Sequence, residues 1–303
     1  MRTFVRTGLL GALALVVATV FGPFTPSTSQ AALSKRLYIP IAYRGASADG
    51  SVTCPSTGQS YDTIPTDGRY SGAPPPQSPD LNLAVRGWTG SNAPLTLVDY
   101  NGGTDPAAPQ LYSLFSDNRT PAFVAGYKVY DWNWTTNTKG APLNNWPVTL
   151  LGMGTSAGEQ LHLPRRNGPD IYQGTYYALV VYADRTRISL HYARNDYIAP
   201  GYGIHVENVC VDPNLLAKYQ QADAAGRGSL PALKNWQVFG TALGGEVDVA
   251  IRDTGTFMDP RSRKDWWQGR AATGVTAAET SSLDHTTPNN GAYAPPGVAI
   301  NAP

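Results

Sequence analysis

Glu246 and Asp248 are the two residues whose type and spacing best suit chemistry. In Glu246-Val247-Asp248-Val249-Ala250-Ile251-Arg252 polar and apolar residues alternate. As a strand, this run buries Val247, Val249 and Ile251 and turns Glu246, Asp248 and Arg252 to the opposite face. Carboxylates two residues apart on one strand face stand roughly 6–7 Å apart. Two positioned acids with separated pKa values are what hydrolysis of a glycan requires of its acid and base. The plain alternative is a solvated strand face, where acids are common.

Other constellations compete with this pair. Gly154-Thr155-Ser156-Ala157-Gly158 matches the Gly-x-Ser-x-Gly nucleophile turn and follows an apolar strand. That motif needs a helix after the serine, whereas Glu159-Gln160-Leu161-His162-Leu163 alternates like a strand and stops at Pro164. The histidines His162, His191, His205 and His285 have neither His-x-His nor His-x-x-x-His spacing, so no metal set is legible. His191 and His205 fall on neighbouring strands and are candidates for binding or for ordinary structural hydrogen bonds. Asp99-Tyr100-Asn101-Gly102-Gly103-Thr104-Asp105 offers oxygen ligands for calcium but lacks the distal Glu of an EF-hand loop, and such turns commonly just connect strands. Asp131-Trp132-Asn133-Trp134 and Asp265-Trp266-Trp267 set indoles beside hydrogen-bonding groups, the combination that stacks on sugars or anchors a protein partner. Their alternative role is to fill the core and pin the tail.

The elements that position these residues are mostly strands. Residues 176–182 and 187–193 are β-branched and aromatic runs joined by Ala183-Asp184-Arg185-Thr186, a hairpin pattern. Residues 203–211 form a third strand and 246–252 a fourth. Residues 81–85, 95–100, 122–132 and 148–153 also read as strands between Pro- and Gly-rich turns, and 37–41 is a shorter strand-like piece. Residues 45–79 lack an apolar period and read as ordered loop. The helix is 212–225: Asp212 caps it, Pro213 starts it and Gly226 ends it, with Leu215, Leu216, Tyr219 and Ala222 on one face. The expected class is mainly β, an antiparallel sheet or sandwich with one inserted α-helix and long Pro/Gly-rich loops.

Arg2 and Arg6, an apolar stretch over 8–21 and Ser29-Gln30-Ala31 make residues 1–31 a secretory leader, too short to span a membrane. Of 23 basic and 22 acidic residues the leader holds two basic ones, so the remainder is close to neutral. A near-neutral chain lacks the one-signed field of a nucleic-acid binder. Cys54 and Cys210 are the only cysteines, and in an exported chain such a pair predicts a disulfide. Residues 269–303 turn to small and polar types and read as a disordered tail.

Residues 158–260 resemble the β domain of lysostaphin-like zinc metalloendopeptidases, the duplicated hybrid motif fold. The resemblance lies in Gly158-Glu159-Gln160-Leu161-His162-Leu163-Pro164, Tyr192-Ala193-Arg194, Asn235-Trp236-Gln237-Val238-Phe239-Gly240, the run from Glu246 to Arg252, Thr254-Gly255 and Asp259-Pro260. Where that family carries Tyr-Ala-His, Arg194 stands here; where it carries His-x-His, Glu246-x-Asp248 stands. The resemblance implies a domain over 146–268 that keeps the groove and has lost the zinc ligands, with 32–145 packed around it. It also implies peptidoglycan, or another cell-surface glycan, as the ligand. Arg194 is then expected to pair with Glu246 or Asp248. The expected protein is a secreted, non-catalytic cell-envelope binding protein with no metal, cofactor, nucleic-acid partner or membrane insertion. The alternatives are a secreted hydrolase using Glu246 and Asp248, and a structural surface component.

Overall fold

The computed structural model describes residues 52–68 and 70–271. The leader, the strand-like piece at 37–41 and all but the first residues of the expected tail lie outside the described residues.

The Pro- and Gly-rich half supplies β1 (Asp62–Pro65), β2 (Trp88–Gly90), β3 (Phe123–Asn133) and β4 (Thr138–Pro142). Next come β5 (Leu150–Gly154), β6 (Gln160–His162), β7 (Tyr176–Ala183), β8 (Arg187–His191), β9 (Tyr202–Glu207) and β10 (Val209–Val211). The chain ends with β11 (Ser229–Lys234), β12 (Val238–Ala242), β13 (Glu246–Asp253) and β14 (Thr256–Phe257). The large sheet runs β1-β11-β7-β8-β9-β13-β5-β3-β2, with β4 on β3 and β14 on β13; a smaller sheet runs β10-β12-β6. Every strand pairing in both sheets is antiparallel. The fold is mainly β, as the alternation in the sequence requires. Strands from either side of residue 145 hydrogen-bond in one sheet, since β3 lies on β5.

Four local differences from the sequence reading have identifiable causes. Within 45–79, read as loop, Asp62–Pro65 forms β1, because it pairs with the edge of β11 and buries Ile64. Residues 81–85 do not form a strand; Leu83–Arg86 is a one-turn helix (α1), because the Asn82 side chain accepts from Ala84 N at 3.2 Å and Gly87 leaves the turn at φ 67°. Residues 95–100 make only a single bridge, Val98 to Ser262. The apolar run at 203–211 breaks at Asn208, whose φ of 60° hands the chain from the large sheet to the small one.

One apolar cluster joins the two sheets. Val247, Val249 and Ile251 of β13 meet Val180 of β7, Ile188 and Leu190 of β8, Leu161 of β6 and Phe239 of β12. The helix α2 (Pro213–Ala224) adds Leu215, Tyr219 and Ala222 to that core, with Leu216 half-buried beside it. Asp212 caps it as expected: its Oδ1 accepts from Asn214 N at 2.7 Å. Its Oδ2 accepts from both the backbone N (2.6 Å) and the hydroxyl (2.5 Å) of Thr57. Two residues from that cap, Cys210 is bonded to Cys54 across 156 positions of chain. The start of the described chain is thus fixed to the β10–α2 corner covalently and by the cap.

The second face of the large sheet is buried too. Leu83, Val129, Leu150, Ala250 and Phe257 form a smaller apolar cluster on it. Arg252, expected on a polar face, is 1% exposed. Its Nη1 donates to Asp80 Oδ1 at 2.9 Å, and its Nε and Nη2 donate to Gly255 O. Arg86 donates to the same Asp80 oxygen at 3.0 Å, and both guanidiniums lie against the Phe257 ring. Burial alone would raise the Asp80 pKa; the Arg252 and Arg86 charges overcome it and hold the carboxyl below its ordinary value.

Removing one member of a buried ion cluster leaves the others uncompensated. Asp80→Ala is expected to cost about 3–5 kcal/mol in chemical denaturation. Asp67→Ala, at the exposed pair with Arg194, should cost no more than about 1 kcal/mol.

Candidate functional site

β13 lies between β9 and β5, and the register decides which side chains share its second face. Asp248 is opposite Glu207 on one side and Gly152 on the other, while Glu246 is opposite Gly154. Arg187 of β8 follows in the same row, opposite Glu207. Gly152 makes the acid pair possible. A Cβ at this position would fall 2.1 Å from Glu246 Oε1 and 3.0 Å from Asp248 Oδ1. The two carboxyl groups therefore occupy the space that any other residue on β5 would fill.

The row has an uneven supply of donors. Arg187 donates to Glu207 Oε2 at 2.9 Å and also pairs with Asp184. Asn208 Nδ2 donates to Asp248 Oδ2 at 2.8 Å, and the Tyr127 hydroxyl donates to Glu246 Oε1 at 3.2 Å. No donor among the described residues reaches Asp248 Oδ1. Burial pushes the Asp248 carboxyl well above its ordinary pKa; its contact with Glu246 and the charge of Glu207 push it further. Glu207 is pushed up to about 7 by burial, with Arg187 opposing the rise. A proton on Asp248 turns Oδ1 from an acceptor without a donor into a donor facing Glu246. Asp248 is 3% exposed and Glu246 is half-buried, so Glu246 is the member of the pair that meets solvent.

Arg194 is not part of this row. It follows β8 at the far end of the sheet, where His191 is opposite Gly203 and Gly203 opposite Arg252. Its Nε donates to Asp67 Oδ2 at 2.9 Å, its Nη2 to Asp67 Oδ1, and its guanidinium lies over the Tyr172 ring. The expected pairing with Glu246 or Asp248 is replaced by one with Asp67, and Arg187 is the cation of the acid row. Sequence reading missed Arg187 and Glu207 because each strand shows only its own alternation, not its neighbour's register. Gly152 carried a readable signal, since a glycine inside an apolar strand marks a close approach.

The two histidines are core residues. His191 is fully buried, its Nδ1 against Asn195 O at 2.9 Å and its Nε2 against Pro200 O. His205 Nδ1 meets Ser189 Oγ at 2.8 Å. The serine gives its own proton to Leu81 O, so His205 Nδ1 is the donor of that pair and Nε2 carries no proton. Burial, then the Arg252 and Arg86 charges, hold its pKa well below the ordinary 6.5. Neither ring is exposed for a ligand.

The tryptophans divide. Trp266 and Trp267 are 2% and 0% exposed, and their ring N–H groups donate to Asp259 O and Pro260 O. They are core: Trp266 ends the one-turn helix α3 (Arg263–Trp266), Trp267 caps it, and neither presents a face to a ligand. Trp132 and Trp134 are half-buried at the end of the β3–β4 hairpin. The Trp132 indole N–H donates across the turn to Asn137 Oδ1 at 3.2 Å, and Arg86 lies 5.8 Å from the Trp134 ring centroid. Across the same hairpin, Lys139 Nζ of β4 sits 4.7 Å from the ring centroid of Tyr130 on β3.

The remaining motifs connect elements. Ser156 is exposed in a turn held by Glu159, and strand β6 rather than a helix follows it. At the acidic turn Asp99 pairs with Arg263, Lys264 Nζ donates to Gly103 O at 2.7 Å, and Tyr202 donates to Asp105. Protein cations and donors thus use the oxygens that a calcium ion would need. No helix among the described residues is long and apolar enough to cross a membrane. Comparison with protein-family models, with curated proteins and with solved structures finds no match to the chain.

The raised carboxyl pKa values fix a sign for the pH dependence. A raised native pKa contributes stability below the ordinary carboxylate range that is lost as pH climbs, for Glu207 between 4.5 and about 7. The buried histidines act in the opposite sense, but only below their ordinary 6.5. Asp248→Asn is therefore expected to unfold at a higher temperature than the parent at pH 8, by roughly 1–3 kcal/mol of stability. That difference should shrink at pH 5; an equal difference at both pH values would refute the protonated-acid assignment.

Proposed function

We propose that the chain is an exported, non-catalytic binding protein of the cell envelope or cell surface, and that its ligand is peptidoglycan or another surface glycan. The observation that carries this reading is the β3–β4 hairpin. Trp132 and Trp134 stay half-exposed there, among Asn133, Thr135, Thr136 and Asn137, while the other aromatic pair is buried. Indoles flanked by amide and hydroxyl groups suit the apolar faces and hydroxyl edges of sugar rings. The hydrogen bond from Trp132 to Asn137 fixes one ring before any ligand arrives, which lowers the entropy cost of binding. The leader pattern and the near-neutral charge fit an exported protein whose ligand is not a polyanion. The degenerate lysostaphin-like reading of residues 146–268 belongs to the same proposal and supplies the choice of peptidoglycan.

The second reading, a hydrolase, rests on the shared carboxyl space opposite Gly152. Asp248, kept protonated, would be the acid and Glu246, the more exposed partner, the base. Purified protein is expected to co-sediment with isolated cell walls, and Trp132→Ala combined with Trp134→Ala to remain in the supernatant while still unfolding in one cooperative transition. A parent protein that stays soluble would sink the glycan assignment. If turnover of a wall glycan is found, Glu246→Gln should lower it by about 100-fold or more, and an unaltered rate would dismiss the hydrolase.

A further inference from the structure

At the end of the sheet away from the acid row lies an open cavity of about 350 Å³, walled by Asp67, Arg166, Asp170, Tyr192, Arg194 and Tyr202. Its four charges are not equivalent. Arg194 and Asp67 neutralise each other through two parallel hydrogen bonds. Arg166 and Asp170 form no ion pair among the described residues, so the cavity presents one uncompensated cation and one uncompensated anion.

Both groups are held in place with one edge unused. Arg166 Nε donates to Ala107 O at 3.1 Å and Nη1 to Tyr192 O at 3.4 Å, and Nη2 has no acceptor among the described residues. The guanidinium lies 5.7 and 5.8 Å from the Tyr192 and Tyr202 ring centroids. Gly168 lets it lie against the loop: a Cβ there would fall 2.2 Å from Nη2. Asp170 accepts from Gly174 N through Oδ2 at 2.7 Å, and no donor among the described residues is directed at its Oδ1. Two tethered charges of opposite sign on one cavity wall, with the Tyr192 and Tyr202 rings beside the cation and Ile171 in the same lining, complement a molecule that carries a carboxylate and an ammonium on a short frame. The volume is at the small end of ligand pockets, the size for an amino acid or a dipeptide.

We propose that this cavity binds a small zwitterion, an amino acid or the free dipeptide, with its carboxylate on Arg166 and its ammonium on Asp170. The site is separate from the tryptophan hairpin and does not depend on the glycan reading.

The test is calorimetric titration of the whole protein with L-alanine, D-alanine and glycylglycine, with acetate and methylammonium as single-charge controls. At least one zwitterion is expected to saturate, about tenfold or more tighter than either control. Tighter glycylglycine assigns the site to peptides, and tighter alanine to free amino acids. Arg166→Gln and Asp170→Asn should each weaken the best probe about tenfold or more, whereas the Trp132 and Trp134 double variant should bind it as the parent does. Absence of saturation by all three zwitterions overturns the proposal, as does parental affinity in both Arg166→Gln and Asp170→Asn. Loss of wall co-sedimentation with intact zwitterion binding would strike only the glycan reading.

Discussion

Burial of the large sheet on both faces is the constraint on which the rest of this structure depends. A strand with one wet face can leave its charges in water. β13 cannot, because Leu83, Phe257 and their neighbours cover the side that carries Asp248 and Arg252. Each of those groups must find a partner inside the protein or change its protonation. The chain answers differently at the two ends of one strand. At Arg252 it supplies Asp80 from a distant loop, so the charge is kept and paired. At Asp248 it supplies one amide and a second acid, so the charge is suppressed and a proton retained.

That difference explains why a single alternating run contains both a structural cluster and a candidate site. The paired end is closed by Arg252, Arg86 and Asp80, with backbone carbonyls accepting further guanidinium donors. At the acid end Glu246 reaches solvent, Asp248 Oδ1 lacks a donor among the described residues, and the two carboxyls share the space that Gly152 leaves over β5. The hairpin tryptophans and the Arg166 cavity share this incompleteness in another form, since each holds a polar or aromatic surface in position without covering it. These are the places on which the proposed binding readings rest.

What the sequence made legible follows from the range of the interactions involved. Strand identity is local, so residues 176–182, 187–193 and 246–252 could be read from alternation. The helix at Pro213–Ala224 could be read from Asp212, Pro213 and Gly226. The Cys54–Cys210 bond followed from there being only one pair to make. Register is not local. Nothing in the order of residues says that Glu207 lies beside Asp248 or that Arg194 ends beside Asp67, and the expected partner of Arg194 was wrong for that reason. Burial is no more local: Trp132 and Trp266 sit in similar sequence settings, and only packing sends one to the surface and the other to the core. The short α1 turn was hidden because four apolar-rich residues fit a strand or a helix until the Asn82 cap is considered.

The position of β13 in the sheet has a consequence for how the chain is made. β5 and β9 never touch as neighbours; β13, translated some forty residues after β9 ends, stands between them. A polypeptide emerging N-terminus first, from a ribosome or through a translocation pore, can form the β7–β8–β9 meander early and the β3–β5 pair separately. It cannot join them until residues 246–253 arrive. The two halves must wait with their inner edges unpaired, and the last long strand is a keystone inserted between them. Such late, long-range closure makes for slow acquisition of the native state. A truncation before residue 246 would leave two open-edged portions of the sheet prone to self-association.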